Sequence, residues 1–120
     1  MKIADWQVIL QPFYEELDLQ NVELSYIPMA ANVDGSIGYQ GGKYYVYLNS
    51  INAGNWTENY TWWVLCHELT HVVQSVKEGW SFFDVDYYRK TDFFEEWADR
   101  RANRTIKSLG ITNERYAVLF

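Results

Sequence analysis

The sequence predicts a single α+β domain, from three features. Helical periodicity opens the chain, three short β-rich runs follow between residues 22 and 48, and two long helical segments fill the second half. At 120 residues the length is that of one domain, and residues 1–120 hold no linker, repeat or low-complexity stretch. Hydrophobic residues make up 48% and aromatic residues 18%, so most of the large rings are expected to serve as core volume.

Ile3, Trp6, Ile9, Leu10, Phe13 and Leu17 recur at helical spacing, which predicts an amphipathic helix over 3–17 that Pro12 kinks or ends near Gln11. Residues 22–27 alternate apolar and polar, which predicts a half-buried strand stopped by Pro28. Residues 29–36 read as irregular. Residues 36–39 and 43–48 read as strands joined through Gln40-Gly41-Gly42, since Gly-Gly suits a primed hairpin turn. Asn55 or Thr57 can cap a helix over 58–78, with Gly79 as its stop. Trp62, Leu65, Leu69, Val72, Val73 and Val76 cover most of its circumference, so it is expected to be the buried central helix. Residues 79–91 form a connection. Thr91 or Asp92 caps a last helix over 93–109, Gly110 follows it, and the apolar tail to Phe120 is expected to pack down.

The formal net charge of −6 excludes the basic surface that nonspecific nucleic-acid binding needs, and a polybasic membrane attachment as well. One cysteine, Cys66, allows no intrachain disulfide, and beside an apolar run it reads as a small buried hydrophobe. The first residues, Met1 to Trp6, lack the apolar core of a secretory signal, and no run reaches transmembrane length, so a cytoplasmic location is expected. On that basis the N-x-T triplets at Asn55, Asn59 and Asn103 are read as chance.

The central helix carries His67-Glu68-Leu69-Thr70-His71, and these are the only two histidines in the chain. Residues four apart are neighbours on a helix face, so both imidazoles can reach one metal ion. Glu68 points to the flank, where a carboxylate can hold a metal-bound water and take its proton. Neutral histidine suits zinc, and a catalytic zinc site takes three protein ligands and keeps one position open. Glu95 and Asp99 lie four apart on the last helix, with small Ala98 and Ala102 beside them. Alone they read as an acidic first turn complementing the helix dipole. With the histidine pair upstream, Glu95 becomes the candidate third ligand, and Asp99 the acceptor for the free ring N–H of a ligating histidine. Glu95 shares its face with Ala98, Asp99, Ala102, Ile106 and Leu109, whereas Glu96 shares the polar face of Arg100 and Arg104 and is expected in solvent.

Residues 67–74 (HELTHVVQ) followed by 94–99 (FEEWAD) resemble the minimal gluzincin metallopeptidases, small bacterial and phage domains that include the ImmA/IrrE-like and HELTH-type groups. The resemblance covers residues 58–106. It implies a zincin-like fold: an N-terminal helix, a small twisted sheet, the central HExxH helix, and a C-terminal helix bearing the third ligand. It implies zinc on His67, His71 and Glu95, Glu68 as the base, and an edge strand over 43–48 that holds an extended peptide. Many full-length gluzincins add a Tyr or His donor that steadies the tetrahedral intermediate. No further His exists here, which leaves Tyr87 or Tyr88 as candidates.

The expected function is therefore a zinc endopeptidase acting on a peptide or protein substrate, with no nucleic acid or membrane partner and an oligomeric state left open. A zincin-fold binding or regulatory module of phage or toxin-system type, with little turnover, is the alternative; the intact Glu68 counts against it. A DNA-linked protease of the SprT-like type is disfavoured by the acidic charge and the absence of a cysteine zinc module.

Overall fold

A computed structural model describes residues 1–79 and 91–112, and every structural statement below concerns those residues. The fold is α+β, with a three-stranded mixed sheet and helices before and after it. No helix among them is long and apolar enough to cross a membrane.

The chain opens with a 3-10 turn (Ile3–Asp5), the short helix α1 (Trp6–Leu10) and a second 3-10 turn (Gln11–Phe13). The helix expected over 3–17 is thus cut short. Pro12 has no N–H to continue the ladder, and Tyr14 leaves the helical region at φ −134°. The Gln11 side chain serves the backbone that follows. Its Nε2 donates to the carbonyls of Tyr14 (3.1 Å) and Leu17 (2.8 Å), and its Oε1 accepts from Leu19 N (2.9 Å). Apolar spacing alone could not show that a glutamine would take over from the helix.

Strands β1 (Val22–Ile27), β2 (Gly35–Gln40) and β3 (Lys43–Asn49) form a sheet in the order β1-β3-β2. The β2–β3 hairpin turns through Gly41 and Gly42 at φ 60° and 78°, the left-handed pair that a two-residue primed turn requires. β1 runs parallel to β3, with Leu24 opposite Val46 and Tyr26 opposite Leu48. β3 is therefore the central strand. Residues 43–48 cannot hold an extended peptide, because both of their hydrogen-bonding edges are taken; the expectation from the family resemblance is corrected on this point. The open edges belong to β1 and β2.

The residues between β1 and β2 are organised by Asn49, a wholly buried side chain. Its Nδ2 donates to Ala30 O (3.0 Å) and Val33 O (2.6 Å), and its Oδ1 accepts from Met29 N (3.2 Å) and Ile51 N (3.0 Å). A buried amide with two donor and two acceptor contacts is fully satisfied, so this crossover is held in one conformation.

After the one-turn helix α2 (Ser50–Ala53), the long helix α3 (Glu58–Glu78) runs through the core. Thr57 is its cap, accepting from Tyr60 N at 3.1 Å; Asn55 is not. Almost every position from Tyr60 to Ser75 is buried, as the sequence pattern predicts, but Val76 is 43% exposed. α3 packs against β2 and β3 and along the last helix, α4 (Thr91–Ser108). Ala98 and Ala102 are buried at that helix pair, where a small residue lets two backbones approach. α4 ends in a Schellman motif: Ile111 N bonds Ile106 O (2.8 Å) and Gly110 N bonds Lys107 O (3.0 Å). Asn103 is buried and accepts from the Trp63 indole at 2.7 Å, so that N-x-T triplet offers no surface amide. The expected packing of the tail to Phe120 lies outside the described residues.

Candidate metal centre

Two helices build the site. α3 presents His67 and His71 one turn apart, and α4 brings Glu95 across to them. His67 Nε2 is 3.1 Å from His71 Nε2. Glu95 places one carboxylate oxygen 3.0 Å from His67 Nε2 and the other 3.2 Å from His71 Nε2. Two ring nitrogens and the two Glu95 oxygens thus lie together, with neighbouring N···N and N···O separations of 3.0–3.2 Å. A tetrahedral ion with bonds of about 2.0–2.1 Å to N and O sets its ligand atoms about 3.3 Å apart, so this spacing is compatible with a bound metal ion.

The outer ring nitrogens show why Nε2 faces inward on both histidines. His71 Nδ1 lies 2.7 Å from Gln74 Oε1, and Gln74 Nε2 donates to Phe94 O (2.9 Å) on α4. An amide oxygen can only accept, so His71 carries its proton on Nδ1 and leaves Nε2 a lone pair. His67 Nδ1 lies 2.9 Å from Asp99 Oδ1. That contact is close but poorly directed for the ring N–H, since Nδ1 otherwise has no hydrogen-bond partner. Trp63 stacks on His67 (ring centroids 5.0 Å, 30°) and is itself anchored by Asn103.

Burial opposes a charge on His67, but the Asp99 and Glu95 carboxylates, with Glu68 beside them, outweigh it and raise its pKa to about 10. Glu68 is buried beside the triangle, its Oε2 3.9 Å from His67 Nε2. Burial raises its pKa, the two histidines pull it back, and Glu95 and Asp34 add to the rise. Glu68 stands against β2 at Gly35. A Cβ on Gly35 would meet Glu68 Cγ at 2.8 Å and Tyr47 O at 3.0 Å.

His67, Glu68, His71, Glu95 and Asp99 are thus brought together. Glu96 is exposed and pairs with Arg100, as expected from its face. Tyr87 and Tyr88 lie outside the described residues. Cys66 is fully buried, and burial pushes its thiol up to about 12, so it is neither ligand nor nucleophile. Gln74, Trp63 and Gly35 escape a reading of the sequence for site chemistry. Only Gln74 leaves a local signal, three residues after His71 on the same face. Comparison of the chain with protein-family models, curated proteins and solved structures gives no match.

Proposed function

We propose that this protein is a zinc-dependent endopeptidase with a minimal, zincin-like arrangement of the gluzincin kind. The observation that carries the reading is the triangle of His67, His71 and Glu95 donor atoms with the buried Glu68 carboxylate at its side. His67, His71 and Glu95 would hold the metal; Gln74 would fix the His71 ring by its hydrogen bond, and the Asp99 carboxylate would hold His67 by charge at 2.9 Å. When bound, zinc would polarise a peptide carbonyl and make water acidic enough to attack it.

Glu68 is the proton carrier. Its acidity is weakened by burial, which suits a group that must take a proton and later give it to the leaving amine. The substrate would lie as an extended strand on the open edge of β2, whose Gly35 touches Glu68, rather than on β3. An edge strand supplies main-chain hydrogen bonds and leaves alternate side chains to set specificity.

Metal analysis and a base substitution test this. Protein purified without added zinc is expected to hold one zinc per chain. Glu68→Gln is expected to keep that zinc and the fold while losing cleavage of a degenerate peptide library by about 10²–10⁴-fold. Loss of metal in Glu68→Gln would make Glu68 a ligand, and surviving activity would assign the base elsewhere.

A further inference from the structure

A cleft of about 320 Å³ opens at the start of β2, lined by Ala31, Asn32, Asp34, Asn52, Asn55 and Trp56. Its lining holds one carboxylate, three amides, an indole and no cationic side chain. Asp34 is held in place from two sides. The Tyr60 hydroxyl, from the first turn of α3, donates to Oδ2, and Asn52 Nδ2 donates to Oδ1 at 3.2 Å. A carboxylate accepts about four hydrogen bonds, so two donors leave acceptor sites over. Among the described residues, the lysine and arginines of the observed ion pairs sit on Glu23, Glu96 and Glu16, the histidines on Glu68, Glu95 and Asp99, and none of them on Asp34. Trp56 is half-buried and braced edge-on by Tyr60 (5.3 Å, 77°), so its indole is a fixed wall.

The cleft adjoins the chemistry. Asp34 immediately precedes Gly35, the residue on which Glu68 packs. An extended peptide advances about 3.3–3.4 Å per residue, so a substrate strand paired along β2 would bring a side chain past the Asp34 end of the strand within one or two residues of the position opposite Gly35. The crossover that carries Asp34 is fixed by the four hydrogen bonds of Asn49, so the cleft exists before any ligand arrives.

We propose that this cleft is a subsite for a lysine or arginine side chain flanking the scissile bond, with Asp34 as counter-charge and Trp56 as the wall. The chemistry fits a long cationic side chain better than other groups. Its alkyl stem can lie along the indole, its head can meet the carboxylate, and the asparagine carbonyls can take remaining N–H groups. An acidic side chain is repelled by Asp34, and a purely apolar one leaves the carboxylate and amides without water or partner.

The assignment rests on the peptidase reading, so two measurements separate them. In the first, wild-type, Asp34→Asn and Trp56→Leu proteins, zinc-loaded, digest a degenerate peptide library, and products are sequenced by mass spectrometry. Wild type is expected to enrich Lys and Arg about tenfold or more over Gln and Met at one position beside the cut, and both variants to lose most of that ratio. The ratio within each digest is the readout, so a general loss of rate does not imitate the result. In the second, the zinc-loaded Glu68→Gln protein is titrated with agmatine, and the Trp56 indole N–H is followed by NMR. A saturable shift that Asp34→Asn abolishes supports the cleft as a cation subsite. Cleavage without basic preference, or a preference unchanged in both variants, overturns the subsite and leaves the peptidase standing. If no peptide is cut, the peptidase reading fails, and the agmatine titration alone decides the cleft: a shift keeps it, and no shift ends it.

Discussion

At position 35 even a methyl group would crowd its neighbours, because a Cβ there would lie 2.8 Å from Glu68 Cγ and 3.0 Å from Tyr47 O. The Glu68 side chain and β2 are therefore closely packed at this point. The ligand assignment is as local. Glu95 and Glu96 point about 100° apart on α4, and only Glu95 reaches the histidines. Glu95→Ala is expected to weaken zinc by orders of magnitude, and Asp99→Ala by about 10–100-fold through its hold on His67. Glu96→Ala, which removes an exposed pair with Arg100, is expected to leave zinc affinity unchanged and cost at most about 0.5 kcal/mol of stability. Side-by-side competition with a chelator measures all three, and a large loss from Glu96→Ala alone would overturn the assignment. The candidate ligands' proximity was legible because i,i+4 spacing is geometry written in the sequence. Gln74 was only half legible: its spacing from His71 is local, but its second contact, to Phe94 O on another helix, leaves no trace in the sequence.

Among the elements, α4 is tied to the start of the chain by Arg101 and by a Thr105–Tyr14 hydrogen bond. Arg101 makes a two-pronged pair with Glu16 (2.6 and 2.7 Å), donates to Phe13 O (2.8 Å) and lies over the Tyr14 ring (4.6 Å). Tyr14 in turn donates to Cys66 O (2.8 Å), in the backbone of the motif helix itself. Arg101→Ala is expected to cost about 1–3 kcal/mol in denaturant unfolding. The same link sets an acid response. The hydrogen bonds from Arg101 hold the Glu16 carboxyl down at about 2, below its ordinary 4.5. A depressed folded-state pKa gives stability that is full above about pH 4.5, falls as pH drops, and is gone below about 2. Glu16 is partly exposed, so solvent and salt shrink the effect. The Arg101→Ala protein is expected to show a shallower loss of stability over that window, and an unchanged slope would remove Glu16 from the acid response. Periodicity read α3 to the residue because cap, stop and buried stripe agree. It overran at α1, where Pro12 and the Gln11 side chain outweigh apolar spacing.

For the whole molecule, the class of fold was legible and the strand order was not. Alternation marks a strand, but nothing within 43–48 says that two partners will flank it. A metal held by both α3 and α4 joins the two halves of the site across the residues between them. Because the ligands come together only in the folded chain, zinc is expected to raise the thermal midpoint, by about 2.7 kcal/mol of stability at 100 times its dissociation constant. Calorimetry with zinc and then with a chelator measures this; equal midpoints would count against a folded-state metal site.

The central position of β3 also fixes an order of events in time. β2 and β3 meet through a two-residue turn, which closes in about 1–10 μs. β1 must find β3 across the whole crossover and the hairpin, with Val22 opposite Tyr44. A parallel partner that distant in sequence costs more loop-closure entropy than a two-residue hairpin. The hairpin is therefore expected to form first and β1 to join it later. Substitutions at Gly41 should slow folding, whereas those at Leu24 should mainly speed unfolding, a division that chevron kinetics can read.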